Sequence, residues 1–171
     1  SITDVQAKDI PDFDIMLAGF PCQAFSVAGY RKGFEDKGRG DLYFELERIF
    51  IEKKPKVIFL ENVKNLVSHD HGRTFEIIKK SLMDNGYHIK HQVLNASEYG
   101  NIPQNRERIY VVCFQDEQAM KKFQFPEKIE LTTTLQDMLE DENTIDKKYF
   151  YTEKTPFFDK LVEEIKDAKT L

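Results

Sequence analysis

Three groups of side chains in this 171-residue chain have types and spacings that suit chemistry. The first is Cys22, within Gly19-Phe20-Pro21-Cys22-Gln23-Ala24-Phe25-Ser26, where the apolar run Asp14-Ile15-Met16-Leu17-Ala18 gives way to a loop. A free cysteine taken blind is a small buried hydrophobe. Behind a proline at a strand-to-loop transition, it also sits where the active groups of open α/β sheets gather, and that position favours the reactive reading. The second group is Glu61-Asn62-Val63, at the C-terminal end of the apolar run Lys56-Val57-Ile58-Phe59-Leu60. A carboxylate there faces whatever fills the cleft. The third is Gln104-Asn105-Arg106-Glu107-Arg108, in which Arg106 and Arg108 fall on one face of an extended segment and are able to hold an anion together. Arginines alternating with a glutamate are also the ordinary pattern of a solvated strand edge.

The elements that must position these groups follow from periodicity. An apolar strand ends at Gly19, and residues 20–41 form a long loop containing Gly29, Gly33, Gly38 and Gly40, of the length of a lid or binding loop. Residues 42–54 carry Leu42, Phe44, Leu46, Ile49 and Phe50 at helical spacing, with Asp41 as N-cap and Pro55 as the stop. Residues 56–60 read as a strand buried on both faces. A second helix is expected over 73–85, with Phe75, Ile77, Ile78 and Leu82 inward and Gly86 behind it; strands are expected over 87–96 and 108–114. This alternation is the second half of an open α/β sheet, mostly parallel with its last pair antiparallel, and ligands of such sheets bind beyond the carboxyl ends of the strands. Past Phe114 the chain turns charged, with a short helix at 135–139 behind Thr132-Thr133-Thr134 and an amphipathic helix over 156–169, a helical C-terminal extension.

Composition bounds the partners. The net charge is −5, yet residues 1–115 hold 16 acidic and 16 basic side chains, while 116–171 hold 14 acidic ones against nine lysines. The net charge argues weakly against a nucleic-acid partner; a neutral N-terminal part can still bind DNA through a few placed arginines, and purely electrostatic, sequence-blind binding is not expected of it. No run approaches the roughly 18 apolar residues of a membrane span, which makes the cytoplasm the expected compartment and a membrane partner unexpected. With two cysteines, Cys22 and Cys113, on different elements, neither a disulfide nor a zinc site is expected.

The chain resembles the DNA cytosine-5 methyltransferases, in particular those of the bacterial HhaI type. Gly19 to Ser26 is similar to the family's nucleophile motif, Arg39-Gly40-Asp41-Leu42-Tyr43-Phe44-Glu45 to the segment after its mobile loop, Glu61-Asn62-Val63 to its Glu-Asn-Val motif, and Gln104 to Arg108 to its Gln-x-Arg-x-Arg motif. Four short motifs in order, on the element ends read from periodicity, reinforce one another. The resemblance implies a Rossmann-like methyltransferase sheet, S-adenosylmethionine as cofactor, double-stranded DNA as partner, and a monomer paired functionally with a restriction endonuclease. It implies catalytic roles for Cys22, Glu61, Arg106 and Arg108, cofactor contacts for Ile2, Pro21 and Leu42, and DNA contacts for Phe20, Gln23, Ser26, Asn62 and Gln104. In that chemistry the thiolate adds to C6 of a flipped-out cytosine, C5 becomes nucleophilic, and Glu61 bonds N3 and the exocyclic amine.

The glycine-rich turn that holds the cofactor in this family is not found in the sequence, nor is a target-recognition domain. Residues 1–115 are therefore expected to be a partial catalytic domain, the catalytic middle of such an enzyme and inactive in isolation, and 116–171 a connecting segment towards the recognition part. Three other readings stand beside this one. The first is a nucleic-acid-binding fragment or relative without catalysis. The second is transfer-RNA cytosine methylation by the same chemistry. The third is a thiol hydrolase using one of His69, His71, His88 and His91 beside Cys22.

Overall fold

The computed structural model describes residues 1–20, 42–141 and 143–150 and, beyond these, Phe158, Lys160, Val162, Glu163 and Ile165. The expected loop over 20–41 and the Asp41 cap therefore lie, apart from Phe20, outside the described residues, as do Cys22, Pro21, Gln23 and Ser26. The chain divides into two units, Ser1–Thr132 and Thr133–Leu171.

In the first unit, two 3-10 turns, Ile2–Asp4 and Ala7–Asp9, lead into β1 (Ile15–Gly19). Helix α1 (Leu42–Lys53), β2 (Val57–Val63), helix α2 (Arg73–Asp84), β3 (His88–Asn95), a single turn α3 (Ala96–Tyr99), β4 (Glu107–Phe114) and α4 (Glu117–Lys122) follow. The strands lie in the order β1-β2-β4-β3; β1 and β2 are parallel, and β4 runs antiparallel to both of its neighbours. Three strands thus point one way and β4 is reversed between β2 and β3: the strands are mostly parallel and the last pair in sequence antiparallel, as expected, and the β2–β4 pair is antiparallel as well.

Alternation along β2 buries Ile58, Leu60 and Asn62 on one face. That face packs against α1 and α2 through Leu46, Ile49, Phe50, Phe75, Ile78 and Leu82, with Ile109, Val111 and Cys113 contributed by β4. Ile58, Ile78 and Leu82 are fully buried, each worth about 1.5–3 kcal/mol relative to exposure. Tyr43, absent from the apolar stripe read from sequence, is buried too, because its hydroxyl donates to the Ile78 carbonyl at 3.3 Å. Helix α2 ends as its sequence predicts: Gly86 takes φ +88°, and Tyr87 N–H returns to the Leu82 carbonyl.

Two features depart from the periodicity by more than a residue. Strand β2 continues past its apolar run through Glu61-Asn62-Val63, because pairing with β4 extends to Val63↔Arg108. Turn α3 was not expected; it starts where the Asn95 side chain accepts a bond from Ser97 N–H. In the second unit, helix α5 (Leu135–Met138) has a full capping box between Thr134 and Asp137, whose carboxyl is held below the usual range by the Thr134 N–H and hydroxyl. A 3-10 turn spans Lys147–Tyr149, and the described residues of the helix expected over 156–169 are helical.

Candidate active site

The carboxyl ends of β1 and β2 meet the amino end of β4. In register, Gly19 faces Glu61 and Glu61 faces Tyr110, with Arg108 two residues away on the same side of β4. Strand alternation turns Glu61 away from the helix-covered face that takes Asn62. Across the strands, Arg108 Nε lies 3.0 Å from Glu61 Oε1, the two side chains being 21% and 34% exposed. A second donor of the same guanidinium, Nη1, bonds the Glu107 carbonyl at 2.8 Å. An ion pair this wet contributes about 0.2–1 kcal/mol to stability, so its larger effect is to fix where the carboxylate points.

Gly19 explains how the carboxylate fits. A Cβ on Gly19 would stand 3.3 Å from Glu61 Oε2, so the glycine leaves the room that this oxygen occupies. Its φ is not positive, which makes close approach rather than backbone freedom the reason for the residue.

Arg106 and Arg108 line one cavity of about 280 Å³ with Leu94, Asn95, Tyr99 and Tyr110. The two guanidinium groups thus share a face, as i, i+2 spacing requires, although Arg106 precedes the strand and is exposed. Asn95 ties Arg106 down: its Oδ1 accepts from Arg106 N–H at 3.0 Å, and its Nδ2 donates to Asn105 Oδ1 at 2.7 Å. Sequence reading missed this asparagine, and it quoted Gly19 in a motif without its space-making role. The signal for Asn95 was a cap-type residue at the strand's end; for Gly19 none existed before the register was known. Gln104 is exposed in the loop ahead of β4.

The other expected site residues are dispersed. Phe20, one residue beyond β1, is buried, with its ring 5.6 Å from that of Tyr43. Asn62 is 3% exposed; its Nδ2 donates to the Phe20 carbonyl and its Oδ1 accepts from Val63 N–H, both at 2.8 Å. Leu42 and Ile2 are half-buried against the core. Arg48, paired to Glu45 at 2.6 Å, donates to the Ile2 carbonyl at 2.6 Å, so α1 carries Leu42 at its first turn and holds Ile2 nearly two turns later. Cys113 is fully buried, and desolvation pushes its thiol up to about 12, which leaves it protonated and inert. His88 and His91 sit on β3, at the opposite edge of the sheet from β1.

The sheet and the class of its neighbours define a Rossmann-like methyltransferase fold. Solved structures with this fold include an Entamoeba histolytica methyltransferase (TM-score 0.52, 20% identity, 89% of this chain and 45% of that one). A Spodoptera frugiperda DNMT2 mutant is similar too (TM-score 0.56, 20% identity, 82% of this chain and 43% of that one). Residues 1–170 match the model of the C-5 cytosine-specific DNA methylases, and the chain belongs to that family. It is 54% identical to the type II methyltransferase M.Bsp6I of Bacillus sp. (strain RFL6) over 99% of this chain and 54% of that protein. It is also 54% identical to M.HhaI of Haemophilus parahaemolyticus over 81% of this chain and 42% of that protein. The chain spans about half the length of the relatives it matches.

Proposed function

We propose that the enzyme of which this chain is the catalytic middle methylates C5 of cytosine in a specific DNA sequence, using S-adenosylmethionine and a transient bond between Cys22 and C6 of the base. The observation that carries the reading is the Glu61–Arg108 pair, set at the end of the sheet where β1 delivers the chain to Cys22. The Glu61 carboxyl, aimed by an arginine, suits the N3 and amine edge of a cytosine: one oxygen accepts from the exocyclic amine, and a proton carried between the carboxyl and N3 offsets the charge that builds on the ring as a thiolate adds to C6. Arg106 and Arg108, sharing a cavity, suit the remaining acceptors of the base and its phosphates. A base in a stacked duplex cannot reach such a site, so flipping is part of the proposal. Gln23, Ser26 and Gln104 are proposed contacts to the DNA.

The cofactor supplies an electrophilic methyl group. Ile2 and Leu42, both half-buried apolar side chains of which Ile2 is tied to α1 by Arg48, are the proposed apolar contacts for it among the described residues, and Pro21 is a further proposed contact. Residues 116–171 are proposed to lead from the catalytic part to the part that reads the DNA sequence, and a restriction endonuclease is the proposed functional partner. No described helix is long and apolar enough to cross a membrane. The thiol-hydrolase reading gains nothing from His88 and His91, which lie across the sheet from β1.

The test is covalent trapping of the full-length gene product on DNA carrying 5-fluorocytosine in the presence of S-adenosylmethionine. A denaturant-stable complex is expected, and it should vanish with Cys22→Ala. A complex that survives this substitution would overturn the proposal.

A further inference from the structure

Asn62 stands beside Glu61 in sequence but on the other face of the strand, where only 3% of it is exposed. A buried primary amide costs free energy unless its donor and acceptor are both used. Here one end holds the backbone of its own strand and the other crosses to β1, since Nδ2 donates to the Phe20 carbonyl at 2.8 Å. The strand register ends at Gly19↔Glu61, so Phe20 is the first residue beyond the ladder and the amide extends the β1–β2 connection by one step. The Phe20 ring is clamped as well, buried at 5.6 Å from the ring of Tyr43. Carbonyl and ring are therefore both fixed two residues ahead of Cys22.

We infer that Asn62 is a positioning residue, whose side-chain amide sets the direction in which the chain leaves β1 towards Cys22 relative to Glu61, rather than a contact to DNA. The inference rests on the proposed methyltransferase reading. One residue then couples the two groups that must reach the same base: Glu61 by peptide adjacency, and the thiol through Phe20. Misplacing a reacting group by about 1 Å costs on the order of a hundredfold in rate, so loss of the amide bond is expected to slow the step that uses Cys22 by about tenfold or more.

The experiment compares wild type, Asn62→Ala and Asn62→Ser in the full-length gene product. It measures the equilibrium affinity for the target DNA, the rate of covalent trapping on 5-fluorocytosine DNA at saturating DNA, and alkylation of Cys22 and Cys113 mapped by peptide mass. The expected result is DNA affinity within about threefold of wild type, trapping slowed about tenfold or more, an altered rate of Cys22 alkylation and continued protection of buried Cys113. A wild type that forms no covalent complex defeats the methyltransferase reading itself. If wild type traps and the variants trap equally fast, the inference is overturned. It is also overturned if the variants lose only DNA affinity, which would make Asn62 a DNA contact. Exposure of Cys113 to alkylation in both variants would assign Asn62 to folding alone and overturn the inference as well.

Discussion

Replacing Gly19 by alanine should make the protein more stable and slower. The backbone at Gly19 has no positive φ, so alanine adopts it without strain and removes freedom from the unfolded chain, a gain of about 0.4–1 kcal/mol. For a chain of this length such a gain raises Tm by roughly 1–4 °C. The new methyl meets one atom closely, Glu61 Oε2 at 3.3 Å, with the Glu61 carbonyl at an ordinary 3.9 Å. The carboxylate must give by a few tenths of an ångström, and its other oxygen is held by Arg108 at 3.0 Å, so the group rotates instead of retreating. Scaled from the cost of a 1 Å misplacement, this shift slows methylation roughly threefold to tenfold. Thermal unfolding and single-turnover methylation of the full-length gene product, with wild type, Gly19→Ala, Glu61→Gln and the double variant, complete the cycle. The rate effects of Gly19→Ala and Glu61→Gln should be strongly non-additive, because the first acts through the second. Unchanged turnover in Gly19→Ala, or additive losses, would refute the claim that Gly19 makes room for the working carboxylate.

Arg108→Ala should lower stability by under about 1 kcal/mol, since the pair it breaks is partly solvated, yet reduce methylation about a hundredfold or more. A large drop in Tm with little loss of rate would make the pair structural. Cys113 gives a pH signature. Its folded thiol is pushed up to about 12 by burial while the unfolded thiol ionises near 8.5, so the unfolded state loses its proton first. The protonated thiol's contribution is complete below about pH 8.5 and declines above it by about 1.4 kcal/mol per pH unit until pH 12. Denaturant titrations at pH 8 and pH 10 should show a steeper loss in wild type than in Cys113→Ala. Equal slopes would contradict it.

Sequence alone determined the local elements. The apolar runs ending at Gly19 and Leu60, the helical stripe of α2 and the stop at Pro55 and turn at Gly86 all follow from side chains a few residues apart. They also brought Glu61 and the two arginines to strand ends, where a cleft is expected. Tertiary structure decided everything that depends on register. Glu61-Asn62-Val63 reads as one motif, but the two-residue period of a strand sends Glu61 to the partly exposed face beside Arg108 and Asn62 into the core, where its amide finds a carbonyl 42 residues away. No pattern in the sequence announces that partner. Nor does any pattern show that β4 inserts between β2 and β3, which is what places Arg108 3.0 Å from Glu61. Periodicity measures only how one segment divides its faces; which face meets which residue is set when distant strands pair and their ladders fix the offset.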